Sequence, residues 1–104
     1  MMVKVMCAGE TEALEIAREL LSTGLIACAN IIGPVTSVFH WKGAAETERE
    51  FMLLAKTREE HIDSITAKII QMHSYELPEV SALPITGGSE NYLRWVAEET
   101  GGNR

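Results

Sequence analysis

The chain has 104 residues, 46% of them hydrophobic and 23% charged, and 9 Lys+Arg against 15 Asp+Glu leave a formal net charge of −6. That length suits one domain covering residues 1–104, with enough apolar material for one core. The acidic balance argues against nucleic acid, which needs a basic patch, and no run approaches the ~20 apolar residues of a membrane-spanning helix.

The first eight residues contain one basic side chain, Lys4, and no apolar segment ending in a cleavage signal, so the cytoplasm is the expected location. Val3, Val5 and Cys7 alternate with Lys4 and Met6, which is a short strand pattern. Ala13, Leu14, Ala17, Leu20 and Leu21 then recur at helical spacing, with Thr11 as N-cap and Gly24 as terminator. From Leu25 to Trp41 the chain is rich in Ile, Val, Thr and aromatics, and Gly33-Pro34 predicts a bulge or bend within it. Lys42 to Ala45 reads as a loop and Arg49 to Lys56 as the returning strand.

Thr57 and Glu60 match a capping box before a helix whose apolar face is Ile62, Ile65, Ile69 and Met72. Glu79 to Ile85 predicts a final strand. Gly87-Gly88 breaks it, and Ser89 caps a last helix carrying Tyr92, Trp95 and Val96. Gly101 to Arg104 should fray. The order strand, helix, strand, strand, helix, strand, helix predicts an α+β, ferredoxin-like βαββαβ sandwich with an extra C-terminal helix. Seventeen residues from Leu25 to Trp41 would extend about 55 Å if straight, whereas a chain this long has a radius of gyration of about 13 Å. The strand therefore folds over at Gly33-Pro34, and its distal half is expected to leave the body and pair with another subunit.

The densest chemistry lies at His73-Ser74-Tyr75-Glu76-Leu77-Pro78-Glu79, where a helical pattern stops and Pro78 forces a turn. His73 suits a metal ligand, a proton carrier or a hydrogen-bonded structural histidine. Glu76 and Glu79 could complete an oxygen–nitrogen metal site or be solvated acids flanking the turn. Tyr75 fits a core aromatic with its hydroxyl satisfied. Elsewhere, Lys56 and Arg58 could bind an anion or serve as surface charges, His61 is expected to be exposed, and Trp41 reads as an anchor at a subunit contact. Cys7 and Cys28 form neither CxxC nor a zinc-ligand pair, and a disulfide does not suit a reducing compartment. There is no GxSxG elbow, P-loop or dinucleotide fingerprint, so nothing points to an enzyme or an organic cofactor.

Several motifs together resemble one family. Gly24-Leu25-Ile26-Ala27-Cys28-Ala29-Asn30-Ile31-Ile32, Thr36 to Gly43, Lys56-Thr57, His73 to Glu79 and Tyr92-Leu93-Arg94-Trp95 are similar, in order, to segments of the CutA divalent-cation-tolerance proteins. The resemblance implies a homotrimer with a PII-like assembly, with Trp41 and Trp95 at subunit contacts. It implies binding of copper (Cu²⁺) or another divalent cation, with Cys7 and His73 as ligands joined by Glu76 and Glu79, and with Lys56, Arg58 and Tyr75 lining the cleft. A PII-like sensor of an anionic metabolite, or a trimer with a purely structural role, are the other readings. Two departures stand out: the loop Ala8 to Thr11 is short and lacks the usual proline, and Ser74 replaces the proline that follows the motif histidine.

Overall fold

The computed structural model describes residues 1–101. Its elements are β1 (Met2–Cys7), α1 (Glu10–Ser22), β2 (Cys28–Trp41), β3 (Ala44–Lys56), α2 (Ile62–Met72), β4 (Val80–Leu83) and α3 (Glu90–Glu99), with a 3-10 turn at Glu59–His61 leading into α2. The strands form one antiparallel sheet in the order β2-β3-β1-β4. β1 thus lies between β3 and β4, the split arrangement that the order of elements predicts.

Period-two alternation decides what each face of the sheet buries. Val3, Val5 and Cys7 of β1 stand opposite Ala55, Leu53 and Phe51 of β3 and pack beneath the helices. α1 contributes Ala13, Ile16, Ala17 and Leu20 at helical spacing, and α2 contributes Ile65 and Ile69. Each fully buried Ile or Leu contributes on the order of 2 kcal/mol. On the other face, Met2, Lys4 and Met6 line up with Lys56, Leu54 and Met52, and Ile32 and Leu83 there are exposed.

α1 begins at Glu10 with Gly9 as its N-cap, two residues earlier than Thr11 predicts. It ends as expected at Gly24, whose φ of +76° only a glycine adopts readily. The Leu25 N–H bonds Leu20 O at 3.0 Å and the Gly24 N–H bonds Leu21 O at 3.1 Å, which is a Schellman ending.

The β2–β3 hairpin departs most from expectation. Its turn is two residues, Lys42 (φ 51°) and Gly43 (φ 83°), the left-handed pair of a type I′ turn. Ala44 and Ala45 are already strand, so β3 starts five residues before Arg49. The distal half of β2 pairs with this added segment of its own chain, from Val35↔Glu50 to Trp41↔Ala44. Gly33-Pro34 forms the expected bulge: these two residues oppose Phe51 alone, and the register shifts between Ile32 and Val35. A Cβ at Gly33 would lie 2.5 Å from the Phe51 ring, so this position requires glycine.

Thr57 does not cap a helix. It is fully buried and its hydroxyl donates to Leu25 O at 2.6 Å, tying the end of β3 to the start of β2, while α2 has no side-chain N-cap. β4 is shorter than Glu79–Ile85 and pairs with β1 from Met2↔Leu83 to Val5↔Val80. α3 is capped as expected, with Ser89 Oγ accepting the Tyr92 N–H. Its far end is held by Arg58, which donates through Nη2 to Ala97 O and through Nε to Thr100 Oγ1 at 3.3 Å. His61 is half-buried rather than exposed, because its Nε2 sits 2.6 Å from Thr100 O. Of the segment expected to fray, Gly101 still bonds Glu98 O, and residues 102–104 lie outside the described residues.

Candidate functional site

Beyond the bulge the hairpin faces the turn that follows α2, and the two enclose a cleft of about 800 Å³. Its floor is Met6 and Glu50. One wall is the hairpin, with Phe39, Trp41, Glu46 and Glu48, and the other is the turn, with Ser74, Tyr75, Glu76, Leu77 and Glu79. Five carboxylates and one guanidinium, Arg49, line it.

The turn is held in shape by a compact polar network. α2 stops at His73, whose extended backbone (φ −72°, ψ 144°) sends the chain away from the helix axis. His73 Nε2 donates to Met6 O at 2.7 Å, and its Nδ1 accepts the Tyr75 N–H at 3.0 Å. Glu12, from the first turn of α1, accepts the Ser74 N–H at 2.9 Å and the Ser74 hydroxyl at 2.8 Å. It also lies 3.2 Å from His73 Nδ1. Tyr75 packs against the His73 ring, with centroids 4.7 Å apart and planes tilted by 50°, and donates its hydroxyl to Glu50 Oε2 at 2.6 Å. Burial, then the bond to Glu50 and the charges of Glu50 and Glu12, hold the Tyr75 phenol well above its ordinary pKa.

The residues singled out by sequence are spread over the molecule. Cys7 is on the helix-packed face of β1 and 0% exposed; burial first, then the Glu12 and Glu50 charges, push its thiol up to about 12. Both ring nitrogens of His73 are engaged within its own chain. Glu79 lies 3.2 Å from Lys4 Nζ and accepts the Ser81 hydroxyl at 3.2 Å. Glu76 is exposed at the cleft mouth, 3.9 Å from Lys42 Nζ. Tyr75 lines the cleft, whereas Lys56 and Arg58 lie at the opposite end of β3, bonded to Asn30 and to the end of α3. Trp41 is half-buried in the cleft wall beneath the Lys42 ammonium, 5.6 Å from its ring centroid. Trp95 is exposed on α3 beside Tyr92, whose hydroxyl meets Cys28 Sγ at 3.3 Å. Among the described residues, no three His, Cys, Asp or Glu side chains are grouped to hold one metal ion.

The family model described as "CutA1 divalent ion tolerance protein" matches residues 1–99. The chain belongs to the CutA1 family. It is 40% identical over 94 residues to the Protein CutA homolog of Xenopus laevis, covering 90% of this chain and 62% of the frog protein. It is 35% identical over 99 residues to the divalent-cation tolerance protein CutA of Thermus thermophilus, covering 95% of this chain and 96% of that one. The crystal structure of CutA1 from Oryza sativa matches with a TM-score of 0.93 and 37% identity, over 97% of this chain and 93% of the rice chain. As a CutA1 family member the chain has an α+β fold of four antiparallel strands and three helices, and no described helix is long and apolar enough to cross a membrane.

Four acidic residues of the site escaped the sequence reading. Glu12, in the first turn of α1, fastens the turn through Ser74. Glu46 and Glu48 fall between the loop read at Lys42 to Ala45 and the strand read from Arg49, and Glu50 lies within that strand without having been singled out. Their signal was the alternation Glu46-Thr47-Glu48-Arg49-Glu50, a strand pattern written in polar residues.

Proposed function

We propose that this protein is a homotrimeric binding protein for divalent cations, serving metal tolerance, with the cation received at the cleft mouth by Glu76 and Glu79. The observation that carries this reading is the charge imbalance of the cleft, where five carboxylates are met by Arg49 and by the Lys4 and Lys42 ammoniums beside Glu79 and Glu76. Membership of a divalent-ion-tolerance family supports it. With no three-donor group in one described chain, the ion keeps part of its water shell, as hard cations held by one or two carboxylates do. Carboxylate oxygens favour hard divalent ions over copper, which prefers imidazole and thiolate. Binding of copper through Cys7 and His73 would require both to leave their present surroundings, so His73 serves chiefly to shape the turn.

Assembly into a trimer is supported by apolar surface on the sheet face away from the helices and along the hairpin. Ile32 and Leu83 are exposed there, and Val38, on the hairpin face opposite Phe39, is 74% exposed. Light scattering should give three times the mass of one chain, and a monomer at micromolar concentration would defeat the assembly. Calorimetric titration with Mg²⁺, Zn²⁺ and Cu²⁺ tests the site. Binding should weaken in Glu76→Gln and Glu79→Gln and persist in His73→Ala. Equal binding by the wild type and both glutamine variants would remove these carboxylates from the site.

A further inference from the structure

Glu46, Glu48 and Glu50 alternate along β3, so all three carboxylates stand on one face of the strand, about 7 Å apart. Directly across the hairpin on that same face are Phe39, Ser37 and Val35, and Trp41 continues the row beside Ala44. A ladder of negative charge thus runs alongside an aromatic and aliphatic one, from half-buried Glu46 through exposed Glu48 to Glu50 at 5% exposure.

Glu50 is the unusual member. A buried carboxylate is costly unless a cation or several hydrogen bonds compensate it. Glu50 has one donor, the Tyr75 hydroxyl on Oε2, and no ion pair among the described residues. Every fully enclosed side-chain nitrogen or oxygen among those residues has a partner, so the unpartnered Oε1 is not fully enclosed, and Glu50 lines the cleft. Its negative field is felt by Cys7 and Tyr75, both of which it helps hold protonated.

We propose that this ladder is a binding site for a linear aliphatic diamine or polyamine. Its ammonium groups pair with Glu50, Glu48 and Glu46, and its methylenes lie along Phe39 and Trp41. The chemistry differs from that of a metal site in two respects. The carboxylates are spaced in a row rather than converging on a point, which suits separated charges on one ligand. Five single bonds between the nitrogens of a four-carbon diamine span about 6 Å, close to the repeat of the ladder. Aromatic faces also favour an organic ammonium and its apolar chain over a strongly hydrated ion. The site goes beyond the divalent-cation reading and does not depend on it.

The test is calorimetry of the full chain with spermidine, 1,4-diaminobutane, n-butylamine and MgCl₂ at matched ionic strength. Spermidine should bind tightest and butylamine weakest. Glu50→Gln, which keeps the acceptor for Tyr75, should weaken spermidine by about 30-fold, the lower range for losing one partner of a buried charge pair. Trp41→Ala should weaken it by about threefold, the scale of one cation–π contact. Glu48→Gln, at an exposed position that does not threaten folding, should also weaken it, and Glu76→Gln should not. No heat beyond dilution at millimolar spermidine overturns the proposal. So does affinity unchanged in both Glu50→Gln and Glu48→Gln, or Mg²⁺ displacing spermidine at equal charge. If Mg²⁺ fails to bind while spermidine does, the metal reading falls and this one stands.

Discussion

The hydroxyl of Tyr75 donates to Glu50 Oε2 at 2.6 Å, joining the turn after α2 to the middle of β3. This bond couples the two walls of the cleft. Tyr75→Phe removes it and leaves a buried carboxylate without its donor, so the fold should lose about 1–3 kcal/mol. Urea unfolding of the two proteins measures the difference, and an unchanged midpoint would show that Glu50 is satisfied by other means.

The same pair sets an alkaline limit. The Tyr75 phenol titrates higher in the folded protein than its ordinary value of 10.0. Its contribution to stability is therefore complete below about pH 10 and is lost as pH rises through the folded value. Melting temperature should fall above pH 10 in the wild type and fall less steeply in Tyr75→Phe. Parallel profiles would remove Tyr75 as the cause.

Cys7 and Cys28 should separate by reactivity. Cys7 is enclosed under α1 and its thiol is raised to about 12, whereas Cys28 is half-buried. Since the thiolate is the nucleophile, iodoacetamide at pH 8 should modify Cys28 in the native protein and Cys7 only after unfolding. Peptide mass mapping reads this directly. Rapid native labelling of Cys7 would mean that β1 is open to solvent.

Gly33→Ala places a methyl against the Phe51 ring and should destabilise by about 1–3 kcal/mol, the usual penalty for overpacking. Phe51→Leu in the same chain should recover part of the loss. Additive penalties in that double-mutant cycle would show that the two residues do not collide.

Arg58→Ala should loosen the C-terminal helix without unfolding the sheet. The guanidinium binds Ala97 O and Thr100 Oγ1, and α3 buries little besides Val96 and Thr100. Amide hydrogens of α3 should exchange faster while those of β1 and β3 are unchanged. Uniform acceleration would instead point to a global loss of stability.

Much of this architecture is legible in the residues themselves. Val3, Val5 and Cys7, the helical spacing of α1, the terminator Gly24, the bulge at Gly33-Pro34 and the cap at Ser89 all act locally, through backbone geometry and one buried face. The failures come from partners far along the chain. Ala44 to Glu48 carries no large apolar residue, and its strand exists because β2 pairs with it. Thr57 would suit a cap, yet the carbonyl of Leu25 claims its hydroxyl. His73 and Cys7 carry ligand chemistry, but Met6 O, the Tyr75 N–H and the helices above β1 already surround them. The turn from His73 to Glu79 was identifiable as the centre of interest. The opposite wall of its cleft was not, because hairpin curvature brings it there.

The two-residue turn at Lys42-Gly43 and the bulge at Gly33-Pro34 together settle a question of parity. Side chains between them alternate strictly, so the charge of the cleft depends on whether the number of residues in each arm is odd or even. One residue inserted between Glu50 and Phe51 would exchange the two faces of the distal arm, turning Thr47 and Ala45 inward and all three glutamates away from the cleft. The cleft would then lose three of its five carboxylates, with no side chain replaced. Among relatives of this fold, the length of the hairpin arms should therefore be as informative about ligand charge as the residues they carry.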